Sequence, residues 1–210
     1  MRRRLQRLQE RGKRRPATRP RQRWSELSKP RRGDVDILVE DCISPGVTAM
    51  SDASTITIAP ARFPEDVEIV RTLFREYVDN LGIDLSFQDF NTELADLPGK
   101  YSPPAGGVLI ARDGAGLPVG CVALRPLKAK GTSEMKRLYV RTEARGHDLG
   151  YRLAVKIMEY GKSAGYTRVV LDTLASMQTA QKLYARLGFH EIPPYYENPV
   201  PGTVYLGRSL

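Results

Sequence analysis

From Ser133 to Leu153 the chain reads SEMKRLYVRTEARGHDLGYRL, and within it Arg145-Gly146-His147-Asp148-Leu149-Gly150 has the residue types and order of an anion cradle. Met135 to Val140 alternates as a strand, with Tyr139 and Val140 favouring extended backbone, and a helical pattern opens at Leu149. A glycine-bearing turn that passes from strand to helix leaves several backbone N–H groups unpaired and pointing one way. The helix dipole adds positive potential at the same place, which then suits a phosphate. Arg145 opens the turn as a partner for phosphate oxygens. Arg152 either adds to that field or is simply exposed, and His147 is read as a turn residue that supplies its N–H.

Around this unit the chain reads as α/β. Thr55–Ala59 alternates as a first strand, and Pro64-Glu65-Asp66 starts a helix whose apolar residues Val67, Val70, Leu73, Phe74 and Val78 recur at helical spacing up to Gly82. Phe87 to Leu97 predicts a second, shorter helix. Val108–Arg112 and Val119–Leu124 predict a hairpin around Asp113-Gly114-Ala115-Gly116. The strand Met135–Val140 follows, then a helix with Leu149, Leu153, Ile157 and Tyr160 on one face, ended by Gly161 or Gly165. Val169–Leu171 is wholly apolar, as in a strand covered on both faces. Met177, Ala180, Leu183, Tyr184 and Leu187 line a last helix stopped by Gly188. Phe189–Ile192 and Val204–Leu206 are closing strands, separated by the proline-bounded loop 193–199.

At 210 residues, 41% hydrophobic and 27% charged, the chain suits one globular domain, residues 51–210, behind an extension, residues 1–50. No apolar run approaches the roughly 18 residues of a membrane span, and no apolar signal core follows the first arginines. Cys42 and Cys121 lack metal-ligand spacing, so no metal is expected, and free thiols in a reducing cytoplasm are. Residues 1–33 carry 14 Lys and Arg against Glu10 and Glu26, a net +12, so the overall +9 belongs to this segment. With few apolar residues it is expected to be disordered. Four readings of it stand: a non-specific contact with nucleic acid or an acidic membrane, a solvated tail without a partner, translation that starts at Met50, and, last, an organellar transit peptide, which the Arg-rich, acid-poor composition fits but the lack of an apolar helix face does not.

The order of elements, the turn R-G-H-D-L-G after M-K-R-L-Y-V, and L-Y-A-R-L-G-F at Leu183–Phe189 resemble the GNAT superfamily of N-acetyltransferases, over Ile56 to Leu210. The resemblance implies a three-layer fold with a mixed central sheet flanked by helices. It also implies acetyl-coenzyme A as co-substrate, with pyrophosphate on the turn after the fourth strand and pantetheine along that strand, and direct transfer of acetyl to a primary amine. Residue by residue, it places the thioester oxygen near the N–H groups of Leu138, Tyr139 and Val140. The pyrophosphate falls on Arg145, Gly146, His147, Asp148, Leu149 and Gly150. Tyr184 matches the tyrosine that donates to the leaving sulfur, against the plainer reading of a core tyrosine on an apolar stripe. Glu134 is the candidate base, against the alternative of an ion pair with Lys136 or Arg137.

Two positions depart from the family pattern. Asp148 stands where the turn usually has glycine, and it sets a negative charge beside the expected pyrophosphate; weakened binding is expected, without abolition, if the side chain turns outward. Met177 stands where an asparagine often precedes the last-helix alanine. Tyr195, Tyr196 and Asn198 in the closing loop, with Arg75 and Tyr77 on the first helix, are the acceptor-site candidates, and they suit a small polar or amino-acid-like amine. The competing function is a catalytically silent, coenzyme-A-binding module whose basic arm binds nucleic acid. Either a monomer or a homodimer fits.

Overall fold

The computed structural model describes residues 55–82, 89–146 and 148–210, all within the compact unit Thr48–Leu210. The expected disordered arm, His147 and the first residues of the expected second helix lie outside the described residues. The strands are β1 (Thr57–Pro60), β2 (Gly107–Arg112), β3 (Pro118–Pro126), β4 (Thr132–Val140), β5 (Arg168–Leu174), β6 (His190–Glu191) and β7 (Thr203–Ser209). The helices are α1 (Val67–Leu81), α2 (Phe90–Ala95), α3 (Leu149–Ser163) and α4 (Gln178–Arg186). One mixed sheet of order β1-β2-β3-β4-β5-β7-β6 runs through the middle, antiparallel throughout except for the parallel pair β4–β5.

Strand alternation divides the core into two layers. In β2, Leu109 and Ala111 pack with Leu149, Leu153 and Ile157 of α3 and with Tyr184 of α4, while Val108 and Ile110 pack with Val70, Leu73 and Phe74 of α1. The apolar residues of α1 and α3 recur at helical spacing, so each helix buries one stripe. Gly82 closes α1 in the left-handed region, at φ 63°, where a side chain would be strained.

Several boundaries differ from the sequence reading. α1 begins at Val67, not at Pro64, because the Asp66 carboxylate accepts the Arg62 N–H at 2.8 Å and pairs with Arg112 at 2.7 Å, which holds the preceding residues in a turn. Gly161 lies inside α3, where an added Cβ would meet Leu124 and Leu210 at 3.4 Å; the helix runs on to Ser163, and Gly165 follows at φ 92°. α2 is confined to Phe90–Ala95, and β1 begins at Thr57. β4 begins three residues earlier than expected, at Thr132, since its polar start carries no alternation to read.

That early start fixes the feature on which the site depends. β4 and β5 hydrogen-bond only where Thr132, Ser133 and Glu134 face Arg168, Val169 and Val170. Beyond Glu134 the two strands part: β4 continues against β3 to Val140, and β5 continues against β7 to Leu174. From Met135 on, backbone groups of β4 on the β5 side face a wedge and not a neighbouring strand.

Candidate functional site

The wedge opens into a cleft of about 800 Å³. Its walls are the parted halves of β4 and β5, the turn 145–150, α4 and the last turns of α1. Leu138, Tyr139 and Val140 line it, as do Arg145, Gly146, Asp148, Leu149 and Gly150 of the turn, together with Tyr77, Tyr184 and Asn198. Residues far apart in the chain are thus brought to one cavity. Glu134, Arg152, Tyr195, Tyr196 and Arg75 do not line it, and His147 is outside the described residues.

The turn has the geometry of an anion cradle. Gly146 sits at φ 93° and Asp148 at φ 51°, so the chain bends through two left-handed residues before α3 starts. Asp148 occupies the N-cap position of α3 yet makes no capping hydrogen bond, and the first N–H groups of the helix are left without that partner. Its carboxylate instead meets the Arg186 guanidinium from α4, through two bonds of 3.1 and 3.2 Å. The hydrogen bonds and charge of Arg186 hold the Asp148 carboxyl below its ordinary range. Arg145 donates to the Val140 carbonyl at 3.1 Å, which lays its guanidinium along the cleft. Arg152 points elsewhere: it is exposed and donates to the Ile56 carbonyl at 2.8 Å, so of its two readings the exposed one fits.

Tyr184 is 8% exposed and packs edge-on against Phe189, with centroids 5.6 Å apart. Among the described residues its hydroxyl makes no hydrogen bond, although the residue lines the cleft. Burial, with the charges of Tyr77 and Asp172, pushes this hydroxyl well above the ordinary tyrosine range. A buried phenol that keeps its proton and opens on a cavity is a donor awaiting an acceptor.

Glu134 is fully buried behind the cleft, not on its wall. Arg125 holds one carboxylate oxygen at 2.5 Å; the other accepts from the Tyr195 hydroxyl at 2.8 Å and lies 3.6 Å from Lys136. Of the two readings made from the sequence, the ion pair fits this arrangement, with Arg125 of β3 as an unforeseen partner. Tyr195, expected at the acceptor site, is turned inward by this bond, and burial followed by the Glu134 charge raises its hydroxyl strongly. On the β5 wall of the cleft the carboxylate is that of Asp172. It pairs with Lys136 at 2.9 Å and accepts from the Tyr196 hydroxyl at 2.9 Å. Burial alone would raise the Asp172 carboxyl, but the Lys136 charge and these hydrogen bonds hold it below its ordinary value.

A bulge in β4 accounts for this concentration of charge. Opposite β3 the register slips between Cys121 and Ala123, and Arg137 takes φ 56°. Lys136 and Arg137 therefore both turn toward the α1–α2 side. Arg137, 3% exposed, pairs with Glu93 of α2 at 2.9 and 3.0 Å and lies over the rings of Phe90 and Tyr77. Burial and the Arg137 charge act oppositely on Tyr77, and burial prevails, with its hydroxyl pushed up to about 12. Sequence reasoning missed Arg125, Asp172 and Arg186, and offered Arg137 as a partner of Glu134 and not of Glu93, because no local pattern marks their partners, which lie 9 to 44 residues away.

Comparison with known proteins follows the same lines. The sequence profile of the acetyltransferase (GNAT) family matches residues 69–189. An uncharacterized N-acetyltransferase of Schizosaccharomyces pombe is 44% identical over 161 residues, 77% of this chain and 99% of that protein. The N-acetylaspartate synthetase of Danio rerio is 31% identical over 120 residues, 56% of this chain and 43% of that one. Among solved structures, an acetyltransferase of the GNAT family from Staphylococcus aureus shares the fold with a TM-score of 0.62 at 21% identity, covering 74% of this chain and 99% of its own. With a mixed sheet parted between β4 and β5, a turn into a helix N-terminus at the mouth of the gap and relatives of this kind, the chain belongs to the GNAT family of N-acetyltransferases.

Proposed function

We propose that the chain moves acetyl from acetyl-coenzyme A directly to the primary amine of a small, amino-acid-like acceptor. The observation that carries this reading is Tyr184: a buried ring whose protonated hydroxyl opens on the cavity where β4 and β5 part and has no partner among the described residues. In this reading the turn 145–150 receives the pyrophosphate, and the backbone of Leu138–Val140 receives pantetheine and the thioester oxygen. The co-substrate supplies the activated acyl group. The acceptor's ammonium first loses a proton to solvent. The neutral amine then forms the new C–N bond as the C–S bond breaks, Tyr184 gives its proton to the departing sulfur, and the surplus N–H proton of the new amide returns, directly or through water, to the Tyr184 oxygen.

The polar end of the cleft, Asp172 with Lys136 and Asn198, receives the acceptor. Asp172, kept ionised, attracts an ammonium group, and Lys136 beside it suits an acceptor that also carries a carboxylate. The likeness to an N-acetylaspartate synthetase supports an amino acid as acceptor. We assign Glu134 to holding Lys136 and the closing loop in place, not to taking the proton. The setting of the reading is a reducing cytoplasm.

The test is thiol release and product identity when the protein meets acetyl-coenzyme A and a panel of amino acids, aliphatic amines and peptides. An N-acetylated amino acid formed in step with free coenzyme A is expected. Coenzyme binding without product across the whole panel would leave a silent binding module instead.

A further inference from the structure

Asp148 presents a problem of charge. An aspartate at a helix N-cap ordinarily accepts from the N–H groups of the first turn, and those are the groups an incoming phosphate would use. An uncompensated carboxylate here would act as a built-in competitor of the coenzyme. Its competition would be twofold, through the N–H groups it would occupy and through repulsion of the pyrophosphate.

The observed geometry avoids both effects. The Asp148 carboxylate makes no capping bond and is engaged by both terminal nitrogens of Arg186, at 3.1 and 3.2 Å. Arg186 is itself placed by the Tyr151 ring, whose centroid lies 4.1 Å from its guanidinium carbon, in the first turn of α3. One arginine at the end of α4 thus grips two residues at the opening of α3. The left-handed backbone of Asp148 is the conformation glycine adopts freely; aspartate tolerates it better than most residues.

We propose that Arg186 is a positioning residue for the coenzyme: by drawing the Asp148 carboxylate away from the first turn of α3 and neutralising it, it keeps that turn open to the pyrophosphate. The inference rests on the reading of the turn as the coenzyme site, and it adds a residue that touches neither the thioester nor the acceptor. Because the pair is solvent-exposed, with side chains 56% and 63% accessible, its effect should depend on ionic strength.

Calorimetric titration of acetyl-coenzyme A into the full chain separates the possibilities. Arg186→Ala should weaken binding about five-fold, the worth of one N-cap bond now competing with the ligand. Adding Asp148→Gly to Arg186→Ala should restore the loss. Acetyl-pantetheine, which has the same arm and thioester but no phosphates, should bind with the same affinity to the unaltered chain and to the Arg186→Ala variant when titrated in the same way. If Arg186→Ala binds as tightly as the unaltered chain, the inference is overturned. It is also overturned if the double variant stays weak, because Arg186 would then be holding phosphate itself. An equal loss for acetyl-pantetheine would mean a packing effect and would overturn it too. Failure of the unaltered chain to bind acetyl-coenzyme A would remove the reading of the turn, and the inference with it.

Discussion

Replacing Tyr184 by phenylalanine isolates a single hydroxyl. The ring contact with Phe189 at 5.6 Å is retained, and no hydrogen bond to a described residue is lost. The cost in stability should therefore stay under about 0.5 kcal/mol, below the worth of one net hydrogen bond. Catalysis should respond far more. A positioned general acid contributes about 10²- to 10⁴-fold, and a thiol with an ordinary pKa of about 8.5 is already a good leaving group, so the lower end applies. We expect kcat to fall about 100-fold, or about 2.7 kcal/mol of transition-state stabilisation. Affinity for acetyl-coenzyme A should stay within about two-fold, since the lost interaction belongs to the transition state. Burial keeps the hydroxyl protonated through neutral pH, so the ratio of the two rates should stay constant from about pH 6 to about pH 8. Steady-state thiol release with saturating acceptor, beside urea unfolding of both proteins, measures these quantities. A phenylalanine variant that keeps kcat within about three-fold of the unaltered chain would refute the assignment.

Other parts of the site make separable predictions. Arg137→Met leaves the Glu93 carboxylate buried without its guanidinium and should cost about 3–5 kcal/mol in urea unfolding; a loss below about 1 kcal/mol would mean that this ion pair is not what holds α2 to β4. Asp172→Asn should raise the KM for the amine about ten-fold while the KM for acetyl-coenzyme A holds, because the lost charge faces the acceptor end; equal changes in both would argue against that placement. Acid should destabilise the fold. For Glu93 and Asp172, burial acts to raise the carboxyl, but their cationic partners outweigh it and leave both below their ordinary values. Their contribution is present above the ordinary carboxylate range, about pH 4, and is lost as pH falls through the lowered folded values. Glu93→Gln should flatten that acid limb, and an unchanged limb would point to other groups.

The elements that organise the chain are legible where periodicity is local. The α1 stripe of Val70, Leu73 and Phe74 and the α3 stripe of Leu149, Leu153 and Ile157 are buried as their spacing predicts. The hairpin around Asp113 forms, with the Asp113 carboxylate accepting from the Ala115 and Leu117 N–H groups. The turn 145–150 also lies at the mouth of the cleft. What cannot be read depends on partners distant in sequence. Glu134 is followed two positions later by Lys136, a spacing that announces a strand pair, yet nothing announces Arg125 reaching it from β3. The bulge at Arg137 has no sequence signature because an arginine carries no local signal for left-handed backbone. Adjacency groups Tyr195 and Tyr196 as acceptor residues, but their hydroxyls go to different carboxylates, Glu134 and Asp172. Asp148 stands out in the sequence as a misplaced charge; its neutralisation by Arg186, 38 residues on, requires the packing of α4 on α3.

The central claim is that the gap between β4 and β5, with the turn at its mouth, receives acetyl-coenzyme A. Amide hydrogen exchange of the full chain, with and without saturating acetyl-coenzyme A, tests this without knowledge of the acceptor. Protection should rise at the amides of Leu138–Val140 and Gly146–Gly150 and stay unchanged along β2 and at the exposed edge strand β1. Protection confined to other segments, or no change in β4 and the turn at saturation, would contradict the account.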